Sequence, residues 1–432
     1  MPGPIQRGRA FVERILSNGV ETVDAEKGRI SGDEKIQIGV PSDSPTVYDA
    51  LISAGKILRN AEIGVEITIA SSHEIEAPCH FSGVSMRSVS ITSENDSVIT
   101  VSNSFPESDD LFLFNNSVAP VLDLSIDAQN NCSNGITASN SIVDVTENGG
   151  IDNVNNRGIR ASAGSSVFAQ DTHFTDCGDR GVMVTTCSRA DLRDADLSGA
   201  GVYGLFVSRG SQCHANRITA NDCADEGDRG AVEIRRSIVS VESADVLNSG
   251  SEGIRADSCS NVSAGSADVS GASSIGFRVR RGSTLRANNA TADNCGGNAV
   301  SVVGASSFDG EEMRAEDASS SAISVSSGSI ANLSGAEIIN PNSYGVLVSS
   351  GAKVNASSAL IEDADNPGLY ANTGYIAAQS VEINGSPDEA VRCFRGSLMG
   401  LNSVSVDGES LTAEDTTIDN LNEVTSDGII FN

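Results

Sequence analysis

Small and apolar residues recur about every 23 residues between Gly135 and Cys393. Each repeat begins with a small residue, continues with an apolar residue, and has a second apolar or small residue two positions further on. None of these positions is charged or strongly polar. The small residues are Gly135, Gly158, Gly181, Gly204, Ala231, Gly253, Gly276, Ala299, Ala322, Gly345, Gly368 and Ala390. The residues that follow them are Ile136, Ile159, Val182, Leu205, Val232, Ile254, Phe277, Val300, Ile323, Val346, Leu369 and Val391. The second positions are Ala138, Ala161, Val184, Val207, Ile234, Ala256, Val279, Val302, Val325, Val348, Ala371 and Cys393.

The spacing of two between the apolar positions predicts a strand with one buried face, because successive side chains of a strand point to opposite sides. A helix would need apolar partners three and four residues apart, and the repeat does not supply them consistently. Each repeat contains a second short strand, as at Val167 and Ala169, and a third apolar position, as at Phe174. A glycine between the first and second strands provides the positive φ that a tight corner needs. These glycines are Gly164, Gly210, Gly282, Gly328, Gly351, Gly374 and Gly396.

Three strands and three corners in about 23 residues are typical of one coil of a parallel β-helix, in which equivalent positions stack from coil to coil. We predict the right-handed form, because the strict six-residue repeat of left-handed β-helices is missing. A leucine-rich repeat has an overlapping period but fits poorly, since there is no leucine-dominated consensus and no helical segment. The predicted fold class is therefore all-β, a right-handed parallel β-helix with a short N-terminal capping helix.

The segment before the regular repeat contains one amphipathic helix. In TVYDALISAGKIL, the side chains of Val47, Leu51, Ala54 and Leu58 share one helical face. A helix at this place would close the open end of the lumen and protect the first strand edge. Residues 1–40 do not follow the repeat, and two interpretations stay open: a flexible tail, or an arm that docks onto another subunit.

A helix such as TVYDALISAG, a strand of the GVEITIASSHEI kind and the glycine-led coils that follow resemble the pectate-lyase-like β-helix of viral tailspikes. The resemblance covers roughly residues 45–400 and is specific for the fold, because the same scaffold serves lyases, hydrolases and adhesins. It implies a virion protein that self-associates, with a trimer as the expected state. Many tailspikes have a separate trimerising β-domain after the β-helix. Here the last clear coil begins at Ala390, and the tail holds one or two further coils or a short capping hairpin.

These observations divide the chain into four segments. They are 1–60, an N-terminal arm and capping helix expected to attach to the virion; 61–134, irregular first coils; 135–408, the regular β-helix; and 409–432, a C-terminal cap.

The composition adds a strongly acidic surface to this picture. The chain has 58 acidic and 28 basic residues and a net charge of −30. Such a surface is typical of proteins from high-salt organisms, where screening weakens the self-repulsion, and a GC-rich genome that favours arginine codons is the alternative. Duplex nucleic acid is excluded as a partner, because binding it requires clustered positive charge.

The cysteines and the N-terminus indicate neither a metal site nor a membrane. The nine cysteines lie singly, without zinc-ligand spacing, and are expected to be small buried thiols. The start MPGPIQRGRAFVERIL is too polar for a signal peptide, and no run of 18 or more apolar residues predicts a membrane span. We therefore expect a virion location without a signal peptide and without membrane insertion.

Carboxylates from neighbouring coils are what a sugar-cleaving β-helix needs, and lyases of this class add a calcium ion held by Asp and Glu oxygens. The best cluster is a four-residue insertion in the repeat, NDCADEGDRGA, which bears Asp225, Glu226 and Asp228, while the preceding coil provides Asp194. The same residues fit a solvated acidic loop, and neither a Gly-His-Gly nor an Asn-Thr-Asp motif is present. None of the four histidines lies near a Ser or Asp in a nucleophile motif. We expect no catalytic residue and no metal ligand, with calcium as the one ion that the lyase alternative would use.

The outward position of the first strand, between its two apolar residues, predicts a binding surface. Exposed apolar residues in register on neighbouring coils suggest contact with another subunit or a ligand, and arginines there can meet acidic groups of a partner. The alternative is a set of isolated apolar residues under a long loop. The predicted binding residues are Met183, Phe206, Arg255, Arg278, Leu347, Tyr370 and Arg392.

The function predicted from the sequence is that of a virion structural protein, such as a tailspike, fibre or surface spike, that adheres to a glycan or glycoprotein of a host cell. Its expected partners are further copies of itself, other virion proteins through the N-terminus, and the host receptor. The alternative is a polysaccharide lyase or glycoside hydrolase with its site in the acidic groove near residues 191–229. A surface protein of the organism itself is a third interpretation, against which the polar N-terminus argues.

Overall fold

The computed structural model describes residues 35–58, 64–147, 149–223, 227–386 and 389–406, and the backbone of the strands at 410–414, 417–422 and 428–431. The chain divides into two compact units, Met1–Asp196 and Leu197–Asn432. Both are built from coils of short parallel strands, with about 15 turns of ~23 residues and almost no helix. The predicted fold class is confirmed.

Three sheets form the first unit, and we name them by the place of their strands in the coil. The front sheet contains Cys79–Ser82, Asp110–Asn115, Asn134–Ser139, Arg157–Ser162 and Arg180–Val184. The second sheet contains Ile36–Val40, Val65–Ile69, Val89–Ser93, Val118–Asp123, Ile142–Val145, Ser166–Ala169 and Arg189–Asp191. The third sheet contains Glu74–Ile75, Ile99–Val101, Ser125–Asp127 and Gly150–Asp152. One α-helix, α1, spans Val47–Leu58, and one 3-10 turn spans Glu94–Asp96.

The second unit repeats the same three strands per coil. Its front sheet contains Tyr203–Ser208, Gly230–Arg235, Glu252–Asp257, Phe277–Arg280, Val300–Val303, Ile323–Val325, Val346–Ser349, Leu369–Asn372, Glu389–Phe394, Ser410–Glu414 and Gly428–Phe431. Its second sheet contains Gln212–His214, Ile238–Ser240, Asn261–Ser263, Thr284–Arg286, Ser307–Asp309, Ile330–Asn332, Lys353–Asn355, Tyr375–Gln379, Leu398–Asn402 and Thr417–Asn422. Its third sheet contains Arg314–Glu316, Glu337–Ile339, Leu360–Glu362, Glu382–Asn384 and Ser405–Val406.

The core of each unit is the lumen of the coils. All the apolar positions that the repeat predicts as inward are buried. They align in columns, with Ile136 beside Ile159 in the first unit and Val232 beside Ile254 in the second. Because burying one such side chain contributes about 1.5–3 kcal/mol, these columns are the main source of stability.

The small residue that opens each repeat is required by close packing. A Cβ atom added to Gly158 would lie 2.7 Å from the carbonyl oxygen of Gly181 and 2.7 Å from Cβ of Phe174. Both distances are well below ordinary van der Waals contact, so a larger residue would push the coils apart.

The corner glycines take the left-handed conformation with one exception. Gly164 has φ 82°, and five of the other six predicted corner glycines have φ between 70° and 76°. At the remaining corner the left-handed residue is Thr373, with φ 58°, and Gly374 instead lies against Val348, whose Cγ1 would be 2.7 Å from an added Cβ.

A buried serine at the same corner links successive coils, a feature that the apolar pattern did not reveal. The N–H of Ser117 donates to Oγ of Ser141 at 3.0 Å, and the N–H of Ser141 donates to Oγ of Ser165 at 3.1 Å. In the second unit the N–H of Ser260 donates to Oγ of Ser283 at 3.1 Å. The hydroxyls of Ser141, Ser165 and Ser260 donate in turn to main-chain carbonyls of the corner. The serine ladder therefore satisfies main-chain donors where the strands end and no sheet partner exists.

The β-helix begins before α1, which corrects one prediction. Ile36–Val40 pairs in parallel with Val65–Ile69. The statement that residues 1–40 do not follow the repeat is thus wrong for this strand. Residues 1–34, on which the tail and arm interpretations depend, lie outside the described residues.

Helix α1 packs on these first strands. The hydroxyl of Thr46 accepts a hydrogen bond from the N–H of Asp49 at 3.1 Å, which caps the first turn. Of the predicted apolar face, Val47, Leu51 and Ala54 are buried. The side chain of Leu58 lies outside the described residues.

The C-terminal strands continue the β-helix. Ser410–Glu414 pairs in parallel with Glu389–Phe394, and Gly428–Phe431 pairs in parallel with Ser410–Glu414. Of the two arrangements considered for the tail, this pairing matches further coils.

Seven of the nine cysteines are buried, as expected for small thiols. The expectation is wrong for Cys187 and Cys259, which are exposed at corners with φ 60° and 65°. No helix among the described residues is long and apolar enough to cross a membrane.

Candidate functional site

Charged side chains lie in register on the outward face of the front sheet in the second unit. Glu233 is aligned with Arg255, and Arg255 with Arg278, on three successive strands. Glu233 and Arg255 attract each other across neighbouring strands, whereas Arg255 and Arg278 carry like charges and need carboxylates near them. With their neighbours these residues form an arginine–carboxylate cluster. It consists of Asp228, Glu233, Glu252, Asp257, Arg235, Arg255, Arg278, Arg280 and Arg281.

Arg255 is the centre of this cluster. Its guanidinium nitrogens lie 3.2 Å from Asp228 Oδ1, 3.3 Å from Glu252 Oε2, 3.6 Å from Asp257 Oδ2 and 3.8 Å from Glu233 Oε1. Only 1% of the Arg255 side chain is exposed, and its Nε has no hydrogen-bond partner. Burial removes the hydration of the Arg255 guanidinium. The negative charges of the four surrounding carboxylates replace that stabilisation.

The described end of the insertion, Gly227 and Asp228, lies against Arg255 and the strand that bears it and contributes to its burial. The main-chain carbonyl of Asp228 accepts a hydrogen bond from Nη1 of Arg255, and the carbonyl of Gly227 accepts one from Oγ of Ser251. Gly227 and Asp228 therefore lie on the outward face of the front sheet. The prediction that Arg255 is free to meet a partner is wrong for this reason.

Two further arginines hold the carboxylate of Asp228 at the edge of the cluster. Arg278 Nη1 lies 2.6 Å from Asp228 Oδ1, and Arg280 Nη1 lies 3.2 Å from Asp228 Oδ2. Arg280 also donates through Nε to Asp257 Oδ2 at 2.9 Å, and the exposed Arg281 lies 3.2 Å from the same oxygen. Asp228 itself is 58% exposed, so the cluster opens to solvent at this residue.

The environment moves the pKa values of two carboxyl groups in opposite directions. Burial raises the pKa of Glu252 to about 7, and the charges of Arg255 and Arg278 offset only part of that effect. Burial also raises the pKa of Asp228, but a hydrogen bond from Glu252 and the charges of Arg255 and Arg278 lower it more, so its net pKa lies below the ordinary value. Of the two groups, Glu252 therefore holds a proton at higher pH than Asp228 does.

A second candidate site is a cleft of about 560 Å³ on the first unit. It lies over the outward face of the second sheet, where Phe168 is aligned with Asp144 on the neighbouring strand. Phe168 is 46% exposed, and partial burial raises the pKa of Asp144 above its ordinary value. The lining residues are Asp123, Asp144, Val145, Thr146, Glu147, Phe168, Gln170 and Asp171. We call this site the Phe168 cleft.

The sequence carries a signal for this cleft in the outward positions of the second strand of each coil. Val167 and Ala169 are inward, so the residue between them is outward, and an aromatic residue there is exposed. The outward positions of the second strand are thus as informative as those of the first.

The other predicted binding residues occupy several places. Met183 is half-buried in the first unit, with Arg180 Nη1 3.9 Å from its sulfur. Phe206 is only 9% exposed, because Tyr203 and Arg235 pack on its ring at 5.0 and 5.5 Å. The assumption of an exposed Phe206 is therefore wrong.

Leu347, Tyr370 and Arg392 form a column on the front sheet of the second unit, as the repeat predicts. The ring of Tyr344 stacks on that of Tyr370 at 4.7 Å, and Arg392 lies 5.8 Å from the ring of Phe394. Leu347, Tyr370 and Arg392 are half-buried, and the binding role of their column stays a prediction.

Of the four catalytic candidates, the structure describes Asp194 and Asp228. Asp194 belongs to the first unit and Asp228 to the second. Asp225 and Glu226 lie outside the described residues. Among the residues that the structure describes, no group of three or more His, Cys, Asp or Glu side chains is placed to hold a metal ion.

One histidine does lie beside a serine and a carboxylate, which the sequence did not predict. In the first unit, Nε2 of His173 lies 2.9 Å from Oγ of Ser125 and 3.3 Å from Oδ2 of Asp152. A catalytic relay needs the carboxylate on the other ring nitrogen, where it orients the imidazole towards the hydroxyl. Because both groups meet the same nitrogen, the arrangement is a link between coils of the third sheet and not a nucleophile.

The stacked parallel strands and the inward columns define a right-handed parallel β-helix protein with charged and aromatic features on its outer faces. Residues 157–312 match the family described as "Right handed beta helix region". No curated protein matches the chain.

Several solved structures are similar to this chain at low sequence identity. The catalytic unit of a GH87 α-1,3-glucanase from Streptomyces thermodiastaticus is 12% identical, with a TM-score of 0.43, and the match covers 95% of this chain and 72% of that one. The Dettilon tailspike protein is 12% identical, with a TM-score of 0.41, over 92% of this chain and 74% of that one. The periplasmic alginate epimerase AlgG is 10% identical, with a TM-score of 0.30, over 86% of this chain and 77% of that one.

Proposed function

We propose that the protein binds carbohydrate through the Phe168 cleft and acts as a tailspike, fibre or surface spike of a virion that adheres to a host glycan. The observation that carries the proposal is the exposed ring of Phe168 in a cleft lined by carboxylates and an amide.

The cleft has the size and chemistry that a sugar ring needs. Its volume of about 560 Å³ is within the range of roughly 300–1,000 Å³ for small-molecule sites. A pyranose ring has an apolar face, which packs on an aromatic side chain, and hydroxyl groups at its rim. Asp144 and Asp171 offer acceptors for those hydroxyls, and the Gln170 amide offers both donors and acceptors.

The charge of the cleft indicates which glycans fit. Asp123, Asp144, Glu147 and Asp171 all line it, and no cation is among its lining residues. Anionic sugars would be repelled, so the cleft favours a neutral, hydroxyl-rich glycan.

The virion assignment is supported by the resemblance of the N-terminal helix, first strands and glycine-led coils to viral tailspikes. The proposal includes attachment through residues 1–60 and self-association, with the Leu347–Tyr370–Arg392 column as contact surface. A halophilic host is part of the same proposal and is supported by the net charge of −30.

An array of neutral and acidic glycans, probed with the purified protein, tests the carbohydrate-binding proposal. Phe168→Ala should weaken binding of the best neutral glycan about tenfold, which corresponds to about 1.4 kcal/mol. Ile330→Ala is the matched control, because Ile330 is 54% exposed and belongs to the second unit. Equal binding by the Phe168→Ala variant, or no neutral glycan bound by the wild type, would contradict the proposal.

The alternative, a polysaccharide lyase or hydrolase, is favoured by one observation. A general acid and its base in these enzymes are two carboxyl groups of one cleft, and the acid has a raised pKa. Burial raises the pKa of Asp144, and Asp123 and Asp171 line the same cleft. Incubation of the bound glycan with the protein, followed by assay of reducing and unsaturated ends, separates the two functions. Release that is lost in Asp144→Asn with binding retained would establish the enzyme, and a lyase would additionally require calcium.

A further inference from the structure

The ring of Phe168 lies between two aspartates of the second sheet. Its partners in register are Asp144 on the preceding strand and Asp191 on the following strand. Paired strands lie about 4.8 Å apart, and side chains in register share one face of the sheet. Both carboxylates therefore flank the exposed ring, and Asp144 is the one that lines the Phe168 cleft.

The chain itself supplies a cation to Asp191. Arg193 donates through Nε to Oδ1 and through Nη2 to Oδ2 of Asp191, both at 2.9 Å, and Gln170 Nε2 donates to Oδ2 at 2.8 Å. The hydrogen bonds to Asp191, and to a smaller extent the charge of Asp171, raise the pKa of Arg193. Because two parallel bonds hold the guanidinium on Asp191, its charge compensates that carboxylate first.

Asp144 has no such cation beside it. In its coil the place of Arg193 is taken by Thr146, whose hydroxyl donates to Asp123. The four carboxylates of the cleft form no ion pair with an arginine, lysine or histidine in the described part of the chain. Partial burial raises the pKa of Asp144, because it weakens hydration and no positive group of the chain replaces it.

An ammonium group of a ligand has the chemistry that this place lacks. It carries a positive charge and three N–H donors, whereas a carboxylate offers only acceptors. A cation above the face of an aromatic ring, within about 6 Å of its centre, is also attracted by the ring. Since Asp144 and Phe168 are neighbours on one face, a single ammonium group can contact both. A neutral sugar packs on the ring but leaves the carboxylate uncompensated.

We propose that the Phe168 cleft selects a glycan that carries protonated primary amines, with the ammonium group held between the carboxylate of Asp144 and the ring of Phe168. The inference rests on the proposed function, because it names the ligand class of the same cleft. It depends on the combination of a cleft of about 560 Å³, a ring that is 46% exposed and a carboxylate without a cation.

Isothermal titration of a short glucosamine oligomer and of its N-acetylated counterpart into the full chain tests the proposal. Acetylation removes the charge and keeps the sugar ring. At about pH 6, below the pKa of roughly 7.7 of a comparable amine, the amine form should bind about tenfold more tightly. At about pH 9 the preference should disappear. Salt of about 1 M, with a screening length of about 3 Å, suppresses general attraction to the net charge of −30.

The preference, which is the ratio of the two affinities, should fall to about twofold or less in Asp144→Asn. The ratio is the readout because Asp144 also accepts hydroxyl groups of both ligands. Asp309→Asn is the matched control and should keep the full preference. Asp309 is likewise the third residue of a second-sheet strand, but it belongs to the second unit. If circular dichroism shows that Asp144→Asn does not fold, Asp171→Asn replaces it, since asparagine tolerates the φ of 53° at that corner.

Equal binding of the two oligomers by the wild type would overturn the proposal. A folded Asp144→Asn variant with the full preference would also overturn it, because the attraction would then come from the acidic surface as a whole. Phe168→Ala separates this inference from the proposed function. Weaker binding of a neutral glycan by that variant, without any preference for amines in the wild type, refutes this inference alone. Unchanged binding of the neutral glycan refutes the proposed role of the cleft.

Discussion

Nη1 of Arg278 lies 2.6 Å from Oδ1 of Asp228, although the two residues are 50 positions apart in the sequence. The contact joins the insertion loop to the outward face of the front sheet and brings an exposed carboxylate next to the buried Glu252 and Arg255. The stability of the second unit therefore depends on charges that the regular repeat does not contain.

Replacing Arg255 with methionine should lower the free energy of unfolding by about 3–5 kcal/mol, because it leaves buried carboxylates without their cation. Urea unfolding followed by circular dichroism measures the change. Arg281→Met is the control, since Arg281 is 64% exposed and its pair should contribute less than about 1 kcal/mol. Similar losses in the two variants would show that Arg255 has no special role.

The stability of the second unit should fall as pH rises from about 4.5 to 7. The pKa of Glu252 is raised from 4.5 to about 7 in the folded state, so the folded protein binds a proton that the unfolded chain has released. Over that interval the loss is about 3 kcal/mol at most, at 1.36 kcal/mol for each pKa unit. Asp228 does not contribute between pH 4.5 and 7. Its pKa lies below the ordinary value of 3.8, so its carboxyl group changes charge only at pH values below that window.

The test of this pH dependence is a comparison of the wild type with Glu252→Gln. Urea unfolding at pH 5 and at pH 8 should show a smaller difference in the variant, because glutamine does not titrate. An unchanged difference would assign the pH dependence to other carboxylates.

Gly158→Ala and Gly55→Ala should change stability in opposite directions. An added Cβ at Gly158 meets a carbonyl oxygen at 2.7 Å, whereas nothing lies within 4 Å of one at Gly55 in α1. We expect a loss of about 1–3 kcal/mol at Gly158 from overpacking and a gain of about 0.5–1 kcal/mol at Gly55 from helix propensity. Thermal unfolding of the two variants beside the wild type measures both effects, and a neutral Gly158→Ala would refute the packing argument.

Leu347→Arg should reduce self-association if the Leu347–Tyr370–Arg392 column is the subunit contact. Association would bury the apolar side chains of that column. Burying the added arginine charge would cost free energy and oppose association. Light scattering of the wild type at micromolar concentration should give a multiple of the 44.5 kDa chain mass, and the variant should shift towards the monomer. Ile330→Arg is the matched control at an exposed apolar residue of the second sheet, and a monomeric wild type would exclude the proposed trimer.

Salt should stabilise the protein if its acidic surface reflects a high-salt environment. A net charge of −30 produces self-repulsion that ions screen over about 3 Å at 1 M salt, against about 10 Å at 0.1 M. The midpoint of thermal unfolding should rise between 0.1 M and 2 M potassium chloride, and a constant midpoint would favour the codon-usage explanation.

The buried residues of the lumen were predictable because the pattern that places them inside is contained within each coil. Every coil repeats the same inward pair, as in Ile136 and Ala138, and the register follows once the strands are parallel. The burial of Arg255 was not predictable in this way. It depends on where the loop bearing Asp228 folds, and the apolar period carries no information about a loop that interrupts it. The same reason explains the Phe168 cleft, since its lining comes from the ends of three strands and the corners after them.

The serine ladder makes the chain sensitive to a change in the length of any corner. An inserted residue between Ser117 and Ser141 at this corner would move the Ser141 hydroxyl away from the N–H of Ser117 and break that hydrogen bond. The hydrogen bonds of the ladder are therefore kept when a complete coil is added and broken when only part of a coil is added. Duplication of complete coils is compatible with these hydrogen bonds, because each new corner brings its own serine to the next one.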